Sequence, residues 1–238
     1  MHSIFIRVLR MISSSIIRRQ FLWNPPFNYV EDIAINNICD YLKINNYELK
    51  KWCIVGVYKG YEIPKILRKY KNIHIDGFEC SPRYIQKLNL RFKNNKRVKI
   101  INKAVSSFKG ETNFYETSLN GNGSLLPLGK LSKIYYGSTQ KEKYLVKTCT
   151  LDGFYKNEEL DILWIDVQGA EKFVLDGAKE TLKKIKAIFI EVSINNDFYQ
   201  NSVDMSTISK ILNEFGFSLV LLGTDINLTG NALYIKNL

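Results

Sequence analysis

The chain has 238 residues, 45% hydrophobic and 13% aromatic, which is enough to bury a full core and too apolar for a disordered or collagen-like chain. Its 34 Lys and Arg against 23 Asp and Glu leave a net charge of +11, and the surplus is local: fourteen basic and three acidic residues lie between Lys59 and Lys109. Such a stretch suits nucleic acid, an anionic glycan or an acidic membrane face, or else a solvated helix face. The four cysteines, Cys39, Cys53, Cys80 and Cys149, show no CxxC pair and no metal-ligand spacing, which fits reduced thiols in a cytoplasmic protein.

In chain order, Ser3 to Ile12 is apolar but carries Arg7 and Arg10. Arg near a bilayer centre costs ~2.5–3.5 kcal/mol, so the segment is expected to pack on its own domain rather than span a membrane. Trp23-Asn24-Pro25-Pro26 forces a break, and a helix follows over Val30–Leu42. These segments form an N-terminal helical extension, residues 1–50, and 51–238 form one domain. From Lys51 apolar runs alternate with amphipathic helices. Strands are expected at Trp52–Val55, Ile73–Phe78 and Val98–Ile101, with helix faces Ile63/Ile66/Leu67/Tyr70 and Ile85/Leu88/Phe92 between them. Glu111–Glu116 and Lys143–Cys149 are strand-like, around a flexible loop at Asn120–Ser124. A strand at Leu160–Asp166, a helix over Ala170–Lys184 and a strand at Ala187–Val192 come next, then a helix over Met205–Phe215. Phe217–Leu222 and Ala232–Ile235 close as a strand pair. Continuous apolar strands separated by amphipathic helices point to an α/β fold with a parallel sheet covered on both faces.

Three places carry chemistry. The first strand runs into Gly56-Val57-Tyr58-Lys59-Gly60-Tyr61-Glu62 and a helix. Two glycines four apart let backbone approach a ligand beside a positive helix end, or simply make a tight turn. Glu79, with Cys80 after it, ends the second strand about twenty residues on, where an acid accepts hydrogen bonds from ribose hydroxyls. The pair favours a cofactor containing a nucleoside, and the absence of Gly-x-Gly-x-x-Gly argues against a usual NAD site. Finally, Asp166 ends an apolar strand at the sheet's carboxyl edge, Gln168 and Glu171 open the next helix, and Glu191 takes the equivalent place on the next strand. A helix-start acid such as Glu171 also has a plain structural reading.

The block Ile165-Asp166-Val167-Gln168-Gly169-Ala170-Glu171, followed by Val174-Leu175-Asp176-Gly177-Ala178, resembles the hallmark of the FkbM family of S-adenosylmethionine-dependent O-methyltransferases. Val55-Gly56 with Lys59–Glu62, Phe78-Glu79, Ala104-Val105-Ser106 with Gly110, Thr150-Leu151-Asp152 and Ile190-Glu191-Val192 match in the same order. The resemblance implies a Rossmann-like class I methyltransferase sheet, mostly parallel with an antiparallel last strand, flanked by helices and preceded by N-terminal helices. It also implies a cofactor site: the amino-acid end at Gly56, Tyr58, Gly60 and Glu62, the ribose at Glu79 and Cys80, the adenine near Ala104 and Val105. Ser124's loop would cover the site, and Asp166 and Gln168 would border it. Two departures stand out: Ile54 where the family usually has an acid, and Trp164 where members often have Lys.

Methyl transfer to a hydroxyl needs an aligned oxygen and a proton acceptor. His2 lies in the tail and His74 inside a strand, so the catalytic candidates are carboxylates: Asp166 as base or metal ligand, assisted by Glu171 and Glu191. A divalent metal is compatible with this chemistry, yet no ligand cluster with metal spacing indicates one. The expected acceptor is a sugar hydroxyl of a glycan or glycosylated metabolite, with the basic face resting on a membrane or an anionic glycan carrier. The alternatives are a nucleic-acid 2′-O-methyltransferase and a binding partner that has kept the fold and lost the chemistry. Nucleic acid is disfavoured because Trp164 stands where a catalytic lysine would be sought, and no aromatic-basic recognition module is present.

Overall fold

A computed structural model of the protein describes residues 27–43, 48–194, 197–224 and 229–237. The helix expected over Ser3–Ile12 and the break at Trp23–Pro26 lie outside the described residues. The chain forms α1 (Phe27–Tyr41), β1 (Lys51–Val55), α2 (Glu62–Lys69), β2 (His74–Phe78), α3 (Pro82–Phe92) and β3 (Val98–Ile101). A middle group follows: β4 (Ala104–Val105), β5 (Gly110–Thr117), α4 (Lys130–Tyr136), β6 (Gln140–Cys149) and α5 (Leu151–Phe154). The last group is β7 (Ile162–Ile165), α6 (Glu171–Asp176), α7 (Lys179–Leu182), β8 (Ala187–Ser193), α8 (Met205–Glu214), β9 (Phe217–Thr224) and β10 (Thr229–Lys236).

The first and last groups build a seven-stranded sheet in the order β3-β2-β1-β7-β8-β10-β9. Strands β1, β2, β3, β7 and β8 pair in parallel, and β10 runs antiparallel to β8 and β9 on either side of it. This is the mostly parallel sheet with an antiparallel last strand that the sequence implied. The period-two alternation of side chains divides the core. Trp52, Ile54, Trp164 and Phe189 pack under α1, α2 and α3, while Cys53, Val55, Leu163, Ile165 and Ile188 pack under α5 to α8. Trp164 therefore fills the core, its ring 4.1 Å from that of Phe189 between centroids. The middle group makes a separate three-stranded sheet, β4-β6-β5, at one end of the large one.

Three local expectations need correction. The single helix over Ala170–Lys184 is two short ones, α6 and α7, because the chain turns at Gly177 to pass the backbone of Ser106. A Cβ on Gly177 would lie 2.1 Å from the Ser106 carbonyl oxygen. Asp152 then caps α7 from outside, accepting from Glu180 N (3.0 Å), Thr181 N (2.8 Å) and Thr181 Oγ1 (2.8 Å). Helix α4 was not expected at all: its Ile134 and Tyr135 are exposed, so it shows no buried apolar stripe, and Gly137 ends it in the left-handed region. Strand β4 and helix α5 were also missed, being only two and four residues long.

The basic stretch is partly structural. The Arg97 guanidinium caps the end of α2 through the carbonyls of Lys71 (2.8 Å) and Tyr70 (3.1 Å), and Arg91 donates to the carbonyl of Lys59. Arg83, Lys87 and Arg91 lie on the exposed face of α3, opposite the buried Ile85, Leu88 and Phe92. Among the described residues no helix is long and apolar enough to cross a membrane.

Candidate active site

Parallel strands deliver their carboxyl ends to one edge of the sheet, and the turns after β1, β2 and β7 meet there. The turn after β1 is tight by necessity. Gly56 has φ +90°, and a Cβ on it would lie 1.7 Å from the Asp166 carbonyl oxygen. Tyr58 (φ +53°) and Gly60 (φ +63°) are also left-handed. Glu79 locks this turn to the next: its Oε2 accepts from Tyr58 N and its Oε1 from Ser81 N, each at 2.7 Å. Burial pushes the Glu79 carboxyl up to about 7 against the pull of those backbone bonds, and the nearby charge of Glu116 adds to the rise.

These turns wall an open cleft. Gly56, Tyr58, Glu79, Cys80, Ala104, Val105, Ser124, Asp166 and Gln168 all line it, so the structure brings together nearly the whole predicted cofactor set. Gly60 and Glu62 do not face it; they sit behind the turn, where a Cβ on Gly60 would meet Phe92, Val57 and Ile63. The loop over Asn120–Ser124 is the cleft's roof. Gly121 lies on the Tyr58 ring, Gly123 on Phe114, and Ser124 pairs with Tyr115 through both backbone groups (2.8 and 3.1 Å). The Ser124 hydroxyl is committed to the roof's own backbone, accepting from Leu126 N at 3.0 Å.

Beyond β7 the three predicted carboxylates divide into two roles. Glu171 holds the backbone: its Oε1 accepts from Gly169 N (3.0 Å) and Val167 N (3.3 Å), fixing the turn whose Gln168 and Gly169 have φ of +56° and +92°. Asp166 and Glu191 face each other across the Gln168 amide, whose Nε2 donates to Asp166 Oδ1 (2.8 Å) and Glu191 Oε2 (2.7 Å). Burial raises both carboxyls, and Glu171 to about 7. Repulsion from Asp166 and Glu171 lifts Glu191 further, and Asp166 and Glu191 titrate as a pair.

Gln168 is also the wall between the first cleft and a second one. Glu171 and Glu191 line the second cleft on the Gln168 side, and Tyr136, Phe198 and Tyr199 line it with aromatic surface. The Tyr199 hydroxyl lies 3.0 Å from Gln168 Oε1 and 3.1 Å from the Asn122 carbonyl oxygen, tying this chamber to the roof of the first. Sequence reasoning missed Tyr136, Phe198 and Tyr199, which come from α4 and an irregular segment without a periodic signal. It also missed Glu116, although an acid two residues from Phe114 on one strand shares that residue's inward phase.

The Ile54 side chain is fully buried in the core under α1 and α2. Two acids stand close to one another nearby, Glu62, the first residue of α2, and Glu31 on α1. Burial pushes the Glu62 carboxyl up from its ordinary 4.5 to about 8, with Glu31 and Asp166 adding repulsion, and its Oε1 has no hydrogen-bond partner among the described residues. The unfolded chain gives up this proton near 4.5 and the folded one near 8, so stability falls as pH rises between those values and levels off above. Glu62→Gln removes the titration. Urea unfolding of the variant should show no change against wild type at pH 4 and a gain on the order of 5 kcal/mol at pH 9.

Among the described residues no group of three or more His, Cys, Asp or Glu could hold a metal ion, and His74 is exposed at the start of β2. A glycine turn after β1, an acid after β2 and a carboxylate after β7, on a sheet of this order, define the class: an α/β domain with a ligand cleft at the carboxyl edge of its sheet. The family profile described as the methyltransferase FkbM domain matches residues 55–219, and the chain belongs to that family. It is a methyltransferase. The 2-O-methyltransferase NoeI of Sinorhizobium fredii is 25% identical over 173 residues, 68% of this chain and 70% of that protein. Among solved structures, a precorrin-6y C5,15-methyltransferase from Geobacter metallireducens aligns with a TM-score of 0.49 at 11% identity, covering 87% of each chain. A SAM-dependent methyltransferase from Aquifex aeolicus aligns with a TM-score of 0.46 at 10% identity, over 95% of this chain and 100% of that one.

Proposed function

We propose that the protein transfers the methyl group of S-adenosylmethionine to a sugar hydroxyl. The observation that carries this reading is the junction of the two clefts at Gln168, whose amide joins the carboxyl of Asp166 in the first cleft to that of Glu191 in the second. The first cleft fits the cofactor by the chemistry of its walls: a carboxylate at Glu79 for the ribose diol, and a glycine turn at Gly56 that admits a ligand close to the backbone. When bound, the cofactor supplies a methyl group on a positively charged sulfur, which leaves as a neutral thioether.

The second cleft suits the acceptor. Sugars present apolar ring faces and outward hydroxyls, and this chamber offers the rings of Tyr136, Phe198 and Tyr199 together with acceptors on Glu191 and Gln168. Asp166 takes the proton from the attacking oxygen, which is a poor nucleophile otherwise. Gln168 holds Asp166 in place with one N–H, and its left-handed backbone is itself held by Glu171. The relative named a 2-O-methyltransferase supports an oxygen acceptor. The exposed Lys87, which lines neither cleft, is suited to docking an anionic glycan carrier or membrane surface.

The test is transfer of labelled methyl groups from S-adenosylmethionine to a panel of oligosaccharides, with RNA in parallel. We expect label in the saccharides as an alkali-stable methyl ether. Label in RNA alone would replace the sugar reading with a nucleic-acid one, and no binding of S-adenosylmethionine by calorimetry would remove the enzyme reading altogether.

A further inference from the structure

Glu116 has no part in the chemistry above, yet it is one of the most deeply placed acids in the cofactor cleft. It stands on β5 two residues after Phe114, on the same inward phase. That phase is otherwise apolar: Phe114 packs with Ala104 and Val146, and Cys80 and Leu125 border them. The Glu116 residue is only 4% exposed. Its Oε2 accepts from the Ser81 hydroxyl at 2.8 Å. Its Oε1 is buried without a hydrogen-bond partner among the described residues, and Arg83 Nη1, at 3.7 Å, is too far to provide one. An acceptor left dry in a cleft wall is costly, and a donor on a ligand removes that cost.

Ser81 sets where that donor must be. Its N–H holds Glu79 and its hydroxyl holds Glu116, so the two carboxylates stand at either side of one residue. A nucleoside whose ribose meets Glu79 would extend its base toward the apolar slot of Cys80, Ala104, Phe114 and Leu125, with Glu116 buried beside it. We propose that Glu116 reads the base: its Oε1 accepts a hydrogen bond from the 6-amino group of adenine, and the fixed carboxylate rejects a purine with an oxygen at that position. The inference rests on the cofactor reading given above and adds a specificity-determining residue to it.

Calorimetry with S-adenosylhomocysteine and S-inosylhomocysteine tests it, since the two differ in the amine and carbonyl at the purine 6-position. Wild type should prefer the adenosyl ligand by about tenfold or more, as a charge-assisted hydrogen bond is replaced by repulsion. Glu116→Gln should lower that preference about tenfold, by weakening the adenosyl ligand and sparing the inosyl one. Equal losses for both ligands, as a purely structural role would give, overturn the proposal, and so does an unchanged ratio. Should the variant fail to give a cooperative melt, the unaltered protein decides: the analogue with hydrogen in place of the 6-amino group should bind about tenfold more weakly, and equal binding overturns the proposal. Wild type binding none of these ligands takes down the cofactor reading and Glu116's role with it. A failure confined to the base preference leaves the cofactor reading intact.

Discussion

Asp166→Asn is expected to lower kcat by about 10²–10⁴-fold, the usual contribution of a positioned general base, while S-adenosylmethionine affinity stays within about threefold. The amide keeps the shape of the group and its contact with Gln168, so the loss reports proton removal rather than collapse of the wall. The pH dependence sharpens the expectation. Asp166 must be ionised to act, and burial holds its pKa above the ordinary aspartate value of 3.8. Wild-type kcat should therefore rise with pH through that raised pKa and level off above it. Asp166→Asn should lose that limb of the profile. Full turnover in the variant, with the limb retained, would move the base elsewhere.

Gly56→Ala is expected to be the most damaging single methyl in the domain. The new Cβ would fall 1.7 Å from the carbonyl oxygen of Asp166, and φ of +90° is closed to alanine. Relief requires β1 and β7 to part where they pair through Asp166 N and the Val55 carbonyl at 2.9 Å. A destabilisation of about 4 kcal/mol or more in urea is expected, with loss of cofactor binding in whatever fraction folds. Gly137→Ala is the matched control, because Gly137 is also left-handed (φ +60°) and its Cβ would meet nothing within 4 Å. It should cost only the backbone strain, about 1 kcal/mol, and leave cofactor binding alone. Similar costs for both would show that the close approach at Gly56 is not what matters.

The large sheet could be read from the residues because its strands are buried on both faces, and unbroken apolar runs such as Cys53-Ile54-Val55 or Ile188-Phe189-Ile190 have few other uses. The cofactor cleft was legible for a related reason. Gly56, Glu79 and Asp166 each end such a run, so the topology that orders the strands also gathers these residues. What escaped was whatever depends on a partner distant in sequence. Gly177 sits in a helical pattern, and only the approach of Ser106 turns it into a break. Helix α4 buries almost nothing and owes its place to the irregular segment against it, where Ser132 donates to the Phe198 carbonyl. The roles of the three acids were equally hidden: Glu171 and Glu191 look alike in sequence, yet one binds backbone N–H groups and the other accepts from the Gln168 amide that also holds Asp166.

The position of β10 bears on how the molecule is assembled. β9 is made first, but its partner in the sheet is β10, which pairs with β8 on its other side. During synthesis β9 emerges with no edge to join, and β8 keeps an open edge until the last strand arrives. Over that interval the apolar Phe217 and Leu221 have lost neither water nor freedom, and two hydrogen-bonding edges stand ready for any strand that reaches them. Completion of the sheet is then a single late insertion that closes both edges at once. Nascent chains stalled before β10 are the species most exposed to pairing with one another, whatever the stability of the finished protein.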